Sequence, residues 1–550
     1  MKPAAISTPR LLLIYACISA VYLLYLPHAL PVLDDWTILQ VFHQARAGGR
    51  PLLFLADLVD NRWWGQFRIF WAGFVPVYLL SFAAGFAAWP YCLLAWAAHL
   101  LTAVLLCRIV SLLAGEAWSG FAAGSVYAVF AAANNTLFWP LGNYYFQALA
   151  LLAWFYFSWK KLSATPDHRY GWKDFALLIP AAFSGEQALP ALVLLLPVTA
   201  WLFAEPEKRR SVLRFCGIHA AALAGLLGFY VLCLNRMPLL RNFQARYSGG
   251  GRWSPWPFAL RLLASLGLNP RLAEWRPAWR LEPALVALLL LAAAAFFWGL
   301  RWCGPVQPLR RAKLFAWSVA ASALTYVSVA FLPGIEWRYL YVPAAFLVAA
   351  GIAVLGCFPR QVRSLLVFLA VAYSLALSYF EIRQCWIRQS REAQAVLDAV
   401  AGARPIGPRD ILIFAHAPHS MGPAPSFLLG ASWALNDMLH HYTGAAEVQG
   451  ARELLVNERG DLALYRRDSL APFPRADVPR LRVFARDAAG RFLPKSFLAL
   501  PAGGGRFQLV PLGPSSITVP AGPVALDQLR ALPIVNDIYF AHPFTGPLPR

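Results

Sequence analysis

Leu33-Asp34-Asp35-Trp36 sets two adjacent carboxylates just past the first long apolar run of the chain. Two close carboxylates in a partly apolar mouth oppose each other's ionisation, which lifts one toward the working pH and suits it to accept a proton from an attacking hydroxyl. The same pair offers a ligand for a divalent metal, with Asp35 as the candidate. The competing use is local: acidic residues belong in the first turn of a helix, and one is expected over Trp36 to Ala47. Only 14 carboxylates precede residue 386, and each costs about 2.5–3.5 kcal/mol near the hydrocarbon core on insertion scales. Those expected beside the pair on the outer side are Asp57, Asp60, Glu186, Glu274, Glu282, Glu336 and Glu381. Glu336 sits at a helix mouth, and Glu186 at a break between two apolar segments. The stretch 235–281 holds eight arginines, no lysine and one carboxylate, Glu274, and contains Gly249-Gly250-Gly251. Arginine's planar fork suits phosphate and stays charged in a partly dry site, so Arg246 and Arg252 are candidates for a phosphate or pyrophosphate on a lipid carrier. Loose attraction to anionic headgroups would draw on the same charges.

The elements that must position these residues are membrane helices. The chain has 550 residues, 59% of them hydrophobic and 14% charged, with a mean hydropathy of +0.52, which is the profile of a polytopic membrane protein. Leu11 to Leu26 reads as a retained first helix, with Lys2 and Arg10 holding the N-terminus in the cytoplasm. Further spans are expected at 90–112, 118–135, 143–159, 187–204, 211–234, 283–302, 314–332, 339–357 and 364–380. If 69–88 lies in the interface and 175–183 crosses as a short helix, all six lysines before residue 386 fall on the cytoplasmic side, as the positive-inside rule asks. The expectation is therefore an all-α membrane domain of about eleven transmembrane helices over residues 1–385, with interfacial helices in the first outer loop, 32–89.

Residues 386–550 carry 17 Lys+Arg against 13 Asp+Glu, leaving 31 against 14 in residues 1–385. The basic excess is thus interleaved with spans, which speaks for topology and anionic lipid ligands and against nucleic-acid binding. The tail opens with a helical pattern, Trp386 to Val400. It continues with a buried strand in Asp410-Ile-Leu-Ile-Phe-Ala and alternating strands in Leu481-Arg-Val-Phe-Ala-Arg and Phe507-Gln-Leu-Val-Pro-Leu. A smaller C-terminal α/β domain, extracytoplasmic by the span count, is expected over 386–550. All eight cysteines lie at or before Cys385 without metal-ligand spacing, so they read as small buried hydrophobes.

In this order the features resemble the GT-C superfamily of polyprenyl-phosphate-sugar-dependent glycosyltransferases, nearest to its protein O-mannosyltransferase, aminoarabinose transferase and tetratricopeptide-linked O-mannosyltransferase branches. Those families place an Asp-Asp or Asp-Glu pair after the first helix, where Asp34-Asp35 stands. They follow it with a basic residue opening an interfacial helix, matched by Phe67-Arg68-Ile69-Phe70 without the usual proline. Leu94-Ala-Trp-Ala-Ala-His99 is similar to their histidine-bearing helix, Phe183-Ser-Gly-Glu186 to their Lys/Ser-x-Glu segment, and Glu336-Trp-Arg338-Tyr339-Leu-Tyr341-Val-Pro343 to their Glu-Arg-Tyr-Leu-Tyr-x-Pro stretch. The resemblance covers roughly 10–385 and leaves the tail unmatched.

It implies a sugar carried on a polyprenyl phosphate, an acceptor hydroxyl deprotonated by Asp34 or Asp35, and in-line attack with inversion. Arg68, Arg338 and arginines of 235–281 would neutralise the departing phosphate. Glu186 and Tyr339 would orient neighbours, and Glu336 would line the substrate cavity. His99 is expected first as a packed, hydrogen-bonded helix residue, with substrate contact as the alternative. No cofactor is required on this reading, although some members use a divalent metal (Mg or Mn). The partners implied are the lipid-linked donor and a cell-envelope glycan, lipid or protein acceptor. The location implied is a bacterial inner membrane with the C-terminal domain in the periplasm. A multi-pass transporter or lipid-linked glycan flippase is the alternative, and a catalytically inert scaffold for the tail is a third reading.

Overall fold

Apolar segments that cannot hydrogen-bond to lipid must close their backbone bonds internally, and the membrane part of this chain is accordingly helical. The computed structural model describes residues 6–49, 54–55, 71–131, 133–142, 144–165, 168–233, 280–303, 310–327, 337–403, 406–407, 409–415, 420–421, 424–425, 432–443, 448–451, 453–456, 462–466, 469–487, 489–512 and 522–543. Two compact units emerge: Met1–Ala29 with Gln44–Gln384, and Leu30–His43 with Cys385–Arg550. The first is the membrane unit; the second combines the short segment bearing the Asp34-Asp35 pair with the whole tail.

In the membrane unit, five helices among the described residues are long and apolar enough to cross a bilayer: Trp89–Ala114, Pro206–Tyr230, Pro283–Leu300, Arg338–Leu355 and Arg360–Gly402. The last runs past Gln384, where the second unit begins, through a π-helical turn at Ile382–Trp386. A sixth candidate arises if Thr8–Ile18 and Ala20–His28 form one span bent by 60°. The protein is thus a multi-span α-helical membrane protein with five to six candidate spans. The first segment differs from the continuous helix expected. Ser19 Oγ donates to Tyr15 O at 2.7 Å and accepts from Trp96 Nε1 at 3.0 Å, so it competes with the backbone at the break, and the chain continues as a 3-10 helix containing Pro27. The helix Trp71–Ala84 within the expected interfacial stretch has 14 residues, about 21 Å at 1.5 Å per residue, too short for a hydrocarbon core of about 30 Å.

Small residues let these helices approach. A Cβ at Gly120 would lie 2.2 Å from Cys107 O, and one at Gly124 would lie 2.2 Å from the Tyr15 hydroxyl, so the Ala117–Tyr127 helix packs by backbone proximity. Large apolar side chains face outward, including Phe229 (64% exposed) and Leu290 (65%), as expected where the solvent is lipid.

In the second unit, strand Ile411–Ala415 is buried throughout and pairs in parallel with both Gln449–Ala451 and Leu481–Arg486. Helix Ser432–Thr443 makes the crossover between the first two. Gly450 permits that packing, because a Cβ there would meet Leu435 at 2.3 Å. Phe492–Lys495 completes this four-stranded sheet antiparallel to Leu481–Arg486. Two further four-stranded sheets, one built on the Phe497–Gly503/Arg506–Pro511 hairpin and one on Glu453–Val456, Leu462–Arg466 and Ser469–Phe473, complete an open α/β arrangement. The expected helix and the three expected strands all form, as Ile387–Gly402, Ile411–Ala415, Leu481–Arg486 and Arg506–Pro511.

Candidate functional site

Asp34 and Asp35 open the helix Asp34–Ala47. Consecutive residues on a helix point about 100° apart, so the two carboxylates diverge instead of sharing one mouth. Asp35 is 1% exposed. Its Oδ2 accepts the Val32 N–H at 3.1 Å while its own N–H donates to Val32 O at 2.9 Å, a reciprocal cap of the helix start. Asp34 is partly exposed. Leu33 between them and the cap has φ +45°, alone among the described non-glycine residues in the left-handed region, a conformation costing about 1–2 kcal/mol.

Helix Ser432–Thr443 of the same unit meets the Asp34–Ala47 helix through side chains. Thr37 Oγ1 donates to Asp437 Oδ2, the Trp36 and Tyr442 rings meet at 6.1 Å, and His43 meets His441 at 6.3 Å. Burial raises the Asp437 carboxyl above its ordinary range, with the Thr37 hydroxyl and His440 pulling the other way. Burial also lowers His441, aided by His43, and raises Tyr442. Nothing in the sequence ties residues 437–442 to the Asp34 helix; no short-range pattern links positions 400 residues apart.

A second cluster is built in the membrane unit around Arg338. The 3-10 turn Trp337–Leu340 presents its guanidinium over the Trp139 ring at 4.0 Å, with Tyr144 and Tyr339 at 5.7 and 5.8 Å. Tyr144 and Tyr339 meet edge to face at 5.5 Å. Gln187 Nε2 donates to Tyr339 O at 3.0 Å, which ties the turn to the break at 183–187 that carries the partly exposed Glu186. The break presses on the Tyr144–Ala164 helix: Gly185, at φ +155°, has no room for a Cβ, which would lie 2.6 Å from Gln147 Nε2. The short helix Ala133–Phe138 also packs against 337–340.

This cluster carries polar atoms that the fold buries without pairing among the described residues: both amide atoms of Asn134, Thr136 Oγ1, Trp139 Nε1, Gln147 Nε2 and Gln187 Oε1. Each such atom costs about 1–3 kcal/mol. Their concentration beside one arginine marks a polar site in an apolar domain. The sequence reading named Arg338, Tyr339 and Glu186, and missed Trp139, Gln147, Gln187 and Asn134. The available signal was Asn134-Asn135-Thr136 within an otherwise apolar run.

Two other features converge on the break. Ala72 N donates to Phe183 O at 3.1 Å, and the Trp71 and Phe183 rings lie 5.0 Å apart. Tyr230 meets Phe183 at 5.1 Å. The helix that follows Arg68 and the one that precedes the arginine-rich stretch therefore both reach the segment holding Glu186. Arg68, Arg246, Arg252 and Glu336 themselves lie outside the described residues. His99 is fully buried, with Nδ1 2.8 Å from the Tyr341 hydroxyl and Nε2 3.2 Å from Ala128 O. The Tyr22 and Tyr127 rings pack on it at 5.8 and 5.1 Å. His99 is a bonded core residue of this unit. Among the described residues, no group of three His, Cys, Asp or Glu is gathered for a metal, and Asp35 spends one oxygen on its cap. No family model, curated protein or solved structure matches the chain.

Proposed function

We propose that this protein is an integral-membrane glycosyltransferase that moves a sugar from a polyprenyl-phosphate donor to an acceptor hydroxyl, with inversion. The observation that carries the reading is Arg338, stacked on Trp139 in a membrane domain and surrounded by buried polar atoms. A guanidinium lying over an indole is attracted by the ring face without losing its charge, so it can still draw a phosphate, and desolvated surroundings strengthen that attraction. Glu186 and Gln187 then orient the sugar side of the donor. Asp34, the more exposed of its pair, is assigned to the acceptor, and Asp35 to capping the helix that carries it.

In the step, the acceptor oxygen attacks the anomeric carbon while Asp34 takes its proton. The anomeric C–O bond breaks, and the electron pair leaves on the polyprenyl phosphate, whose charge Arg338 neutralises. The roles of Asp34 and Arg338 are assigned by chemistry, each within its own unit. In this reading all eleven apolar segments cross the membrane, Trp71–Ala84 lies in the interface, and the C-terminal domain stands in the periplasm, where it meets a cell-envelope acceptor.

The test is transfer of a radiolabelled sugar from a polyprenyl-phosphate donor in proteoliposomes carrying the full chain, with envelope glycans, lipids and proteins as acceptors. Arg338→Ala should lower transfer by about 10²–10³-fold, the usual effect of removing one charge-stabilising group. Labelled donor crossing the bilayer without any glycosidic product would replace this reading with a flippase or transporter.

A further inference from the structure

The opposite end of the same helices carries a second cationic cluster that sugar transfer does not use. The Ala117–Tyr127 and Tyr341–Leu355 helices meet at Tyr127 and Tyr341, where the Tyr127 hydroxyl donates to Tyr341 O at 3.4 Å. Their other ends lie at Glu116 and Gly356, which is where Arg311, Arg360 and Arg363 gather. Arg363 is 4% exposed, with its guanidinium 4.3 Å over the Trp118 ring, and Glu116, Arg311 and Arg360 are its charged neighbours. Arg311 packs on Gly356, where a Cβ would stand 3.1 Å from its Cδ and Nε. Arg360 Nη2 donates to Cys303 O at 3.3 Å.

Three features make this a site for an anion. Arg311 begins the Arg311–Tyr326 helix, and Arg360 and Arg363 lie in the first turn of Arg360–Glu381; neither helix start has a side-chain cap. Cations at a helix N-terminus oppose its dipole by about 0.3–1 kcal/mol each, so three of them there call for a compensating negative charge. Glu116 faces Arg363 and also accepts from Ser119 Oγ, but its single negative charge leaves three arginines with a net positive charge. Finally, the Nε atoms of both Arg311 and Arg363 are buried without a hydrogen-bond partner among the described residues. The positive-inside rule accounts for arginines at this end of the helices, but exposed arginines would satisfy it. It does not account for a guanidinium nine-tenths buried at an uncapped helix start.

We infer that Arg311, Arg360 and Arg363, with the N-termini of their two helices, form a binding site for a phosphate group, independent of the Arg338 cluster. Arginine forks beside two helix starts without side-chain caps match the tetrahedral, multiply accepting geometry of a phosphomonoester or phosphodiester. The phosphate comes from an anionic lipid headgroup or from solution.

The experiment uses the purified full chain in neutral detergent. Native mass spectrometry compares retention of phosphatidylglycerol with that of phosphatidylcholine of the same acyl chains. Thermal melting compares inorganic phosphate with chloride at equal ionic strength. The proposal expects the wild type to retain phosphatidylglycerol preferentially or to be stabilised by phosphate. Arg311→Gln with Arg363→Gln should weaken that response at least tenfold, while Arg210→Gln with Arg214→Gln, an equal loss of charge at exposed positions, leaves it unchanged. A response to the lipid alone names the headgroup as the source, and a response to inorganic phosphate names the soluble ion. Equal retention of the two lipids together with no phosphate effect in the wild type overturns the proposal without recourse to any variant. A double variant that melts as a folded protein and responds as the wild type does overturns it too.

Discussion

Separating Asp34 from Asp35 by substitution tests the assignment of chemistry to one and capping to the other. Asp35→Ala removes the acceptor for the Val32 N–H in a fully buried setting. Loss of such a cap costs about 0.5–2 kcal/mol, and burial puts the expected value in the upper half, about 1–2 kcal/mol. For a unit of this size each kcal/mol lowers the melting midpoint by about 2–4 °C, so the midpoint should fall by roughly 2–8 °C. Asp35→Asn keeps an acceptor oxygen in the same place and should recover most of that loss, with transfer near the wild-type rate. Asp34→Asn is isosteric at a partly exposed position; its stability should stay within about 0.5 kcal/mol of wild type, while transfer falls by about 10²–10⁴-fold as the proton acceptor is lost. Melting followed by circular dichroism, alongside the sugar-transfer assay, reads both quantities on the same preparations. Full transfer by Asp34→Asn, combined with a folded but inactive Asp35→Asn, would refute the division of roles.

Gly185→Ala should destabilise the membrane unit by about 1–3 kcal/mol, because its Cβ would overlap the buried Gln147 amide. Adding Gln147→Ala should make the double variant less destabilised than the sum of the singles, a coupling that melting midpoints of the four proteins would measure. Asp437→Asn addresses pH. Burial raises the folded carboxyl above the ordinary value of 3.8, so the folded unit holds a proton that the unfolded chain releases. Stability from this group is complete below that ordinary value and is lost as pH rises through the folded pKa. The Asn variant, which keeps an oxygen for Thr37, should therefore be more stable than wild type at pH 7 and converge with it in acid. Melting curves between pH 4 and 8 that stay parallel would count against the burial argument.

The membrane character, the five helices long and apolar enough to span among the described residues and the strands of the tail were legible because each rests on short-range periodicity: about 20 apolar residues for a span, alternation for Leu481–Arg486, an unbroken apolar run for Ile411–Ala415. The expected span 118–135 is instead two short helices, Ala117–Tyr127 and Ala133–Phe138. Arg338, Tyr339 and Glu186 were legible for a related reason, since polar residues at the ends of apolar segments stand out against their surroundings. What stayed hidden depended on distant pairs. Trp139 gives no sign in sequence that it carries Arg338, and Thr37 gives none that it bonds Asp437. The bend at Ser19 was equally invisible, because a serine in a spanning helix is ordinary until a second helix brings Trp96 to its hydroxyl. The grouping of Leu30–His43 with the tail belongs to the same class: chain order sets that segment among membrane helices, whereas its packing partners come from residues 437–442.

The two arginine clusters of the membrane unit share a physical solution that explains why charge counting alone could not find them. Residues 1–385 hold 31 basic against 14 acidic groups, so most cations there cannot be neutralised by carboxylates. At one end of the Ala117–Tyr127 helix Arg363 lies on Trp118; beyond its other end Arg338 lies on Trp139. An indole face attracts a guanidinium by about 0.5–2 kcal/mol without cancelling its charge, whereas a carboxylate cancels it. Arginines seated on tryptophan keep a positive charge with which to draw an anion. The same arginine-on-tryptophan pairing appears toward both ends of one helix, beside polar atoms buried without a hydrogen-bond partner among the described residues, and this supports the proposal of a phosphate at each. In the proposed reading the phosphate at the Arg338 end would leave with the lipid after each transfer, whereas one at the Arg363 end would take no part in transfer.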